Sequence, residues 1–161
     1  ETAIGRFATE AVGVLDRVAR EAEPWLDHQR MLTDSESDCV PELTGAISRS
    51  ACELADSIRA AAIVTTTASG ATARLVARLR PKSPILAITS SQAAARQLAL
   101  SWGVTPAVTE PAVDSETMAA SVRGAIRASG LGRPADRVVV TAGLPLGASG
   151  TTNLIRVLEL D

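Results

Sequence analysis

The stretch Val64–Arg74 reads VTTTASGATAR, and it sets the fold of the chain around it. Its β-branched start ends a predicted buried strand over Ala61–Thr66, and its last residues begin a predicted helix over Gly70–Leu79. Ser, Thr and Gly residues are gathered at the junction. A strand followed directly by a helix is the basic unit of an α/β sheet, and the hydroxyl groups raise the question of a ligand.

The same alternation continues downstream. Helices are predicted at Ser91–Trp102 and Ser115–Ser129, and further apolar strands at Pro84–Thr89, Val104–Val108, Arg137–Thr141 and Asn153–Leu160. This order is typical of a parallel sheet covered on both faces. Only Ala142–Thr152, without a helical pattern, separates the last two strands, and parallel strands need a longer crossover. The prediction is a three-layer α/β/α domain with a five-stranded, mostly parallel sheet, whose last strand is antiparallel at the edge.

The chain before this sheet divides into three predicted parts. Residues 6–23 have helical spacing of apolar positions, and Pro24 ends the pattern. Residues 24–40 are polar and acidic without a clear period, which indicates a linker or crossover. A second helix is predicted from Pro41 and Glu42 to about Ile58, with a buried face of Leu43, Ile47, Ala51, Leu54 and Ile58.

Composition excludes several classes of function. Aromatic residues make up 2% of the chain, too few for the stacking platforms of single-strand nucleic-acid binding. The net charge is −2 with scattered basic residues, so no nucleic-acid partner is expected. No apolar run is long enough to span a membrane. Cys39 and Cys52 lack a metal-ligand spacing and are interpreted as reduced thiols, with a disulfide as the alternative.

Two loops at the predicted carboxyl edge of the sheet are candidate ligand sites. The first follows the opening strand and contains Thr67, Ala68, Ser69, Gly70, Ala71 and Thr72. Hydroxyl donors, a glycine and a helix N-terminus together favour phosphate binding. The alternative is that Ser69 or Thr67 only caps the helix.

The second candidate loop spans residues 143–152 and is rich in glycine. It is long for a hairpin and could close over a ligand, although a plain hairpin turn is the alternative. If their strands are neighbours, both loops leave the same edge of the sheet. No catalytic constellation accompanies them: His28 is expected to be an exposed linker residue, and no Walker A motif, GxGxxG motif or carboxylate cluster is present.

Several ordered stretches resemble pyruvate kinase, in its C-terminal domain. They are ISRSACELA (47–55), IVTTTASGATARLVARLRPKSPILAIT (63–89), LALSWGVTPAV (98–108) and VVVTAGLPLGASGTTNLIRVLEL (138–160). The opening ETAIGRFATEAV resembles the end of the family's catalytic (β/α)8 barrel. The resemblance therefore implies that residues 1–23 hold the last helix of an otherwise absent barrel, 24–40 a linker, and 41–161 the regulatory domain.

The resemblance also implies a function. Pyruvate kinases are cytoplasmic glycolytic enzymes that transfer phosphate from phosphoenolpyruvate to ADP with Mg²⁺ and, in many members, K⁺. Their active site lies in the barrel, so no catalytic residue is assigned to this chain, which we expect to be inactive alone. The family's C-terminal domain binds an allosteric effector and joins subunits of a homotetramer. By resemblance, residues 67–72 hold the effector phosphate, and the loop of Leu146, Gly147, Ala148, Ser149, Gly150 and Thr151 closes over it.

One departure from the family concerns the second phosphate of fructose 1,6-bisphosphate. Family members can hold it with a basic residue on the helix before the fourth strand, where this chain has Met118. The resemblance therefore favours AMP or a sugar monophosphate as effector. Two alternatives stay open: a stand-alone ligand-binding protein or small enzyme of the same fold, and a purely structural assembly domain.

Overall fold

The computed structural model describes residues 1–28, 30–31, 42–146 and 152–161. A 3-10 helix occupies Glu23–Trp25. The α-helices are α1 Ala8–Ala22, α2 Glu42–Ser57, α3 Ala71–Arg78, α4 Gln92–Leu98 and α5 Ser115–Ser129. The strands are β1 Ala62–Thr66, β2 Ile85–Thr89, β3 Val104–Val108, β4 Arg137–Ala142 and β5 Leu154–Glu159.

The five strands form one sheet in the order β3-β2-β1-β4-β5. β1 pairs in parallel with both β2 and β4, and β2 pairs in parallel with β3. β5 runs antiparallel to β4, with Val139 opposite Val157. The mostly parallel sheet with an antiparallel edge strand, predicted from the short connection before β5, is confirmed.

Both faces of the sheet are buried, as the continuous apolar strands require. Alternate residues of β1 point to opposite sides: Val64 packs in the cluster that includes Val122 and Ile126 of α5, and Ile63 packs with Ala51 of α2 and Val76 of α3. Helices thus cover both faces, and the three-layer prediction is confirmed.

The buried face of α2 agrees with the prediction in part. Ala51 is fully buried, and Leu54 and Ile58 pack against the same core cluster. Leu43 is 61% exposed, however, and the helix also buries Ser48, Cys52 and Ala55, which were not predicted. Cys52 is a free thiol, and burial raises its pKa to about 12. Cys39 lies outside the described residues.

α4 is shorter than the helix predicted over Ser91–Trp102. The Ser91 side chain caps its start by accepting a hydrogen bond from the Ala94 amide at 3.2 Å. After Leu98 the backbone tightens into turns, in which the Ser101 amide donates to the Leu98 carbonyl at 2.9 Å.

The N-terminal segment contacts the α/β domain at one place. No residue of α1 is buried in the described structure, and its Leu15 and Val18 are largely exposed. The Trp102 indole N–H donates to Glu23 Oε1 at 3.0 Å, and His28 Nδ1 hydrogen-bonds the Arg80 carbonyl. The prediction that His28 is an exposed linker residue is therefore wrong, since it is half-buried and bonded to the domain. Of residues 24–40, positions 29 and 32–40 lie outside the described part.

Candidate functional site

A cavity of about 540 Å³ lies at the carboxyl edge of the sheet. The chain runs outward from β1 to β2 and β3 and then crosses over to β4 on the other side of β1, and such a switch point opens a crevice beyond the strand ends. The cavity is lined from all four parallel strands. Its lining includes Thr67, Ala68, Ser69, Ala71 and Thr72 after β1, Thr89 and Ser90 at β2, Thr109 and Glu110 after β3, and Gly143 after β4.

The loop between β1 and α3 presents an open helix N-terminus to this cavity. Gly70 adopts a left-handed conformation with φ +81° and begins α3 without a side-chain cap. The Thr67 hydroxyl accepts a hydrogen bond at 3.0 Å from the Gly70 amide, which lies before the helix. Thr67 therefore shapes the loop, and among the described residues no side chain caps the first-turn amides of α3, contrary to the capping alternative.

Gly70 also leaves room for the guanidinium group of Arg74. A Cβ at this position would lie 2.9 Å from Arg74 Nη1 and 3.0 Å from Leu98 Cγ. Arg74 folds back along the loop and donates from Nη2 to the Ser69 carbonyl at 3.2 Å. The absence of a side chain at Gly70 thus places a guanidinium beside the uncapped helix end.

Hydroxyl groups hold the loop to its neighbours. Thr72 and Thr152 share a buried hydrogen bond of 2.8 Å between their side-chain oxygens. The Thr89 hydroxyl at the end of β2 donates to the Ala68 carbonyl at 3.3 Å. The first loop is therefore tied to β2 on one side and to the residues leading into β5 on the other.

The described ends of the second candidate loop lie at the same cavity. Gly143, Leu146 and Thr152 line it. Asn153 holds the ends together, because its amide nitrogen donates to the Leu144 carbonyl at 2.9 Å and its oxygen accepts from the Leu144 amide at 2.8 Å. The predicted loop residues Gly147, Ala148, Ser149, Gly150 and Thr151 lie outside the described residues.

The wall opposite the first loop comes from the end of β3 and from α5. Met118 lines the cavity with 1% of its surface exposed, and Ser121 lies on the same helix. Arg123 and Arg127 face elsewhere: both line a second cavity, where Arg123 Nε lies 3.1 Å from Asp161 Oδ2. Neither arginine is among the residues that line the first cavity.

Some lining residues were not singled out from the sequence. Arg74 was missed, although its position four residues after Gly70 is a usable signal, because these positions are neighbours on a helix. Thr89, Thr109 and Glu110 were missed too. They follow predicted parallel strands, whose carboxyl ends meet at the same edge.

The described residues contain no group of three His, Cys, Asp or Glu side chains placed to hold a metal ion. None of the helices in the described ranges has both the length and the apolar character needed to cross a membrane.

The fold and the cavity define a three-layer α/β domain with a crevice at the switch point of its sheet. Residues 45–158 match the family model described as pyruvate kinase, alpha/beta domain. The chain belongs to this family.

Named relatives agree with this assignment. The chain is 41% identical to pyruvate kinase of Geobacillus stearothermophilus, over 98% of its own length and 27% of that protein. It is 38% identical to pyruvate kinase of Clostridium acetobutylicum, over 100% of its length and 34% of the relative. A crystal structure of a pyruvate kinase from Cryptosporidium parvum superposes with a TM-score of 0.85 at 29% identity, covering 100% of this chain and 32% of that one. The chain thus spans about a third or less of these relatives.

Proposed function

We propose that this chain is the effector-binding and subunit-assembly domain of a pyruvate kinase, the glycolytic enzyme that transfers phosphate from phosphoenolpyruvate to ADP. One observation carries the effector role. Gly70 leaves the first turn of α3 uncapped and lets Arg74 lie beside it, at the edge of a 540 Å³ cavity.

These groups suit a phosphate monoester. Uncapped amides at a helix N-terminus point at the ligand and carry a partial positive charge. The Arg74 guanidinium adds a full charge and can form charge-assisted hydrogen bonds with phosphate oxygens. Ser69 and Thr72 line the same part of the cavity with hydroxyl groups that can donate to the remaining oxygens.

The opposite wall favours a ligand with a single phosphate. Met118 is buried there and offers no charge, and Arg123 and Arg127 line the other cavity. A second phosphate at this wall would lose hydration without gaining a cationic partner from these residues. AMP or a sugar monophosphate is therefore the proposed effector.

Regulation and assembly follow from the connections of the site. The Thr72–Thr152 hydrogen bond joins the first loop to the end of the second, so phosphate binding would order the second loop. This closure would bias a homotetramer toward its active state, and substrate would tighten effector binding reciprocally. β5 is an edge strand with Val157 41% exposed, and pairing with a second subunit would cover it.

Catalysis is proposed to lie outside this chain, in the catalytic barrel of the same cytoplasmic enzyme. The Mg²⁺ and K⁺ of such an enzyme are proposed to be held by that barrel as well. We accordingly expect no phosphoryl transfer by the purified chain.

Calorimetric titration of the purified chain with AMP, glucose 6-phosphate, ribose 5-phosphate and fructose 1,6-bisphosphate tests the effector role. A monophosphate should bind saturably, and the double variant Ser69→Ala/Thr72→Ala should bind it more weakly by about 1–3 kcal/mol, the scale of lost hydrogen bonds to a charged group.

The matched control is Ser50→Ala/Thr105→Ala, which removes the same two hydroxyl types from exposed positions away from the cavity. It should bind like the parent chain, and a thermal melt of each variant checks that it is folded. Binding of no phosphate would favour a purely structural assembly domain. Turnover of a phosphorylated compound by the chain alone would favour a small enzyme of the same fold.

A further inference from the structure

The charged residues that line the first cavity are unevenly distributed. Among the described lining residues they are Arg74, Arg78 and Glu110. Both arginines lie on α3, which starts at the phosphate end of the cavity. Glu110 follows β3, two strands away from β1, and adjacent strands are about 4.8 Å apart. The strand ends that carry the first loop and Glu110 are therefore about 10 Å apart along the sheet, with Arg74 beside the first loop and Arg78 at the far end of α3.

The Glu110 backbone carbonyl accepts a hydrogen bond within the protein, but its side-chain carboxylate has no such partner in the described structure and can bind a ligand. The Thr109 hydroxyl donates to the Glu110 carbonyl at 3.2 Å, and the rigid residue Pro111 follows. Across the described residues, no hydrogen bond or ion pair engages the Glu110 carboxylate. Ser121 and Met118 line the same cavity, with a hydroxyl and an apolar side chain respectively.

An unpaired carboxylate at this place discriminates between ligands by charge. A carboxylate only accepts hydrogen bonds, so it can pair with a hydroxyl or an amine but not with a phosphate dianion. A second phosphate near Glu110 would meet a like charge, and because Glu110 is exposed this repulsion is partly screened by water and salt. Specificity of this kind depends on a repulsive element as well as an attractive one.

We infer that Glu110 is the specificity-determining residue of the effector site: it accepts a hydrogen bond from a hydroxyl at the end of the ligand remote from the phosphate, and it rejects ligands with a second phosphate there. The inference rests on the proposed effector role of the cavity. It narrows the ligand class to monophosphates whose far end carries a hydroxyl or amino group.

Three probes that differ at one position separate the two effects of Glu110. They are glucose 6-phosphate, 1,5-anhydroglucitol 6-phosphate, which lacks the hydroxyl on carbon 1, and glucose 1,6-bisphosphate, which carries phosphate on it. Each is titrated calorimetrically into the parent chain, Glu110→Gln and Glu110→Lys. Glu116→Gln is the matched control, because Glu116 is an exposed glutamate of α5 that does not line the cavity.

The parent chain should bind glucose 6-phosphate about tenfold or more tightly than either other probe, the scale of one hydrogen bond to a charged group. Glu110→Gln should reduce the preference over the bisphosphate by about tenfold, and Glu110→Lys should reverse it. Glu116→Gln should keep the preferences of the parent chain.

The outcomes separate this inference from the proposed function. If the parent chain binds glucose 6-phosphate and the Glu110 variants keep its preferences, the role of Glu110 is overturned and the effector site stands. If no glucose probe binds to any variant while the melts show folded protein, the role of Glu110 is overturned; the effector site fails as well only if AMP and ribose 5-phosphate also do not bind.

Discussion

Replacement of Gly70 by alanine tests the structural basis of the proposed phosphate site directly. Gly70 has φ +81°, a region in which a residue with a Cβ costs about 1–2 kcal/mol. The new Cβ would also lie 3.0 Å from Leu98 Cγ, and Leu98 is fully buried. Overpacking of this kind costs about 1–3 kcal/mol. We therefore expect Gly70→Ala to reduce the free energy of unfolding by about 2–5 kcal/mol.

The same substitution should weaken phosphate binding beyond its effect on stability. The Cβ would lie 2.9 Å from Arg74 Nη1, so the guanidinium would have to leave its place beside the Ser69 carbonyl. Urea unfolding followed by circular dichroism measures the first effect. Calorimetric titration with glucose 6-phosphate, under conditions where the variant is folded, measures the second.

Gly124 supplies the matched control. It lies within α5, and a Cβ there would meet no atom within 4 Å. Gly124→Ala should therefore stabilise the chain by about 0.5–1 kcal/mol, the usual gain from alanine in a helix interior. If Gly70→Ala proves as stable as Gly124→Ala, the left-handed turn and the close contact at Gly70 do not exist as described.

Two further predictions concern ionisable groups away from the cavity. Burial raises the pKa of the Cys52 thiol to about 12. Peptide mapping after iodoacetamide treatment at pH 8 should therefore find Cys52 unlabelled in the folded protein and labelled in urea. Labelling of Cys52 in the folded chain would contradict its burial. Hydrogen bonds from the Thr117 amide and hydroxyl lower the pKa of Asp114 below 3.8, so this cap contributes stability above that pH and loses it as pH falls through the folded-state pKa. Asp114→Ala should accordingly lower the melting temperature at pH 7 and have a smaller effect near pH 2; an equal effect at both values would contradict a role for the ionised carboxylate.

The sheet could be predicted from the sequence because its determinants are local. β-branched runs separated by helical patterns fix the strands, and the lack of a helical pattern in 142–152 fixes the direction of β5. The capped start of α5 is equally local, since Asp114 and Thr117 form a reciprocal capping box within one turn.

The missed features depend on contacts between distant parts of the chain. Leu43 belongs to the apolar pattern of α2, yet it is 61% exposed while Ser48 and Cys52 of the same helix are buried. His28 has no local signal for burial, and its partner, the Arg80 carbonyl, is 52 residues away. Arg74 becomes part of the site only through the left-handed turn at Gly70, which is a property of the folded loop.

The Thr72–Thr152 hydrogen bond connects the two candidate loops in a way that depends on the ligand. Each hydroxyl has one proton to donate, and either of these two can be the donor. A phosphate dianion only accepts hydrogen bonds, so Thr72 must turn its proton toward a phosphate bound at α3 and accept one from Thr152. Phosphate binding would thus fix the direction of hydrogen-bond donation, from Thr152 to Thr72 and from Thr72 to the phosphate. Hydrogen bonds in such a series polarise and strengthen one another. Because Thr152 is buried two residues before β5, this series would carry the effect of the phosphate from the start of α3 to the edge strand of the sheet.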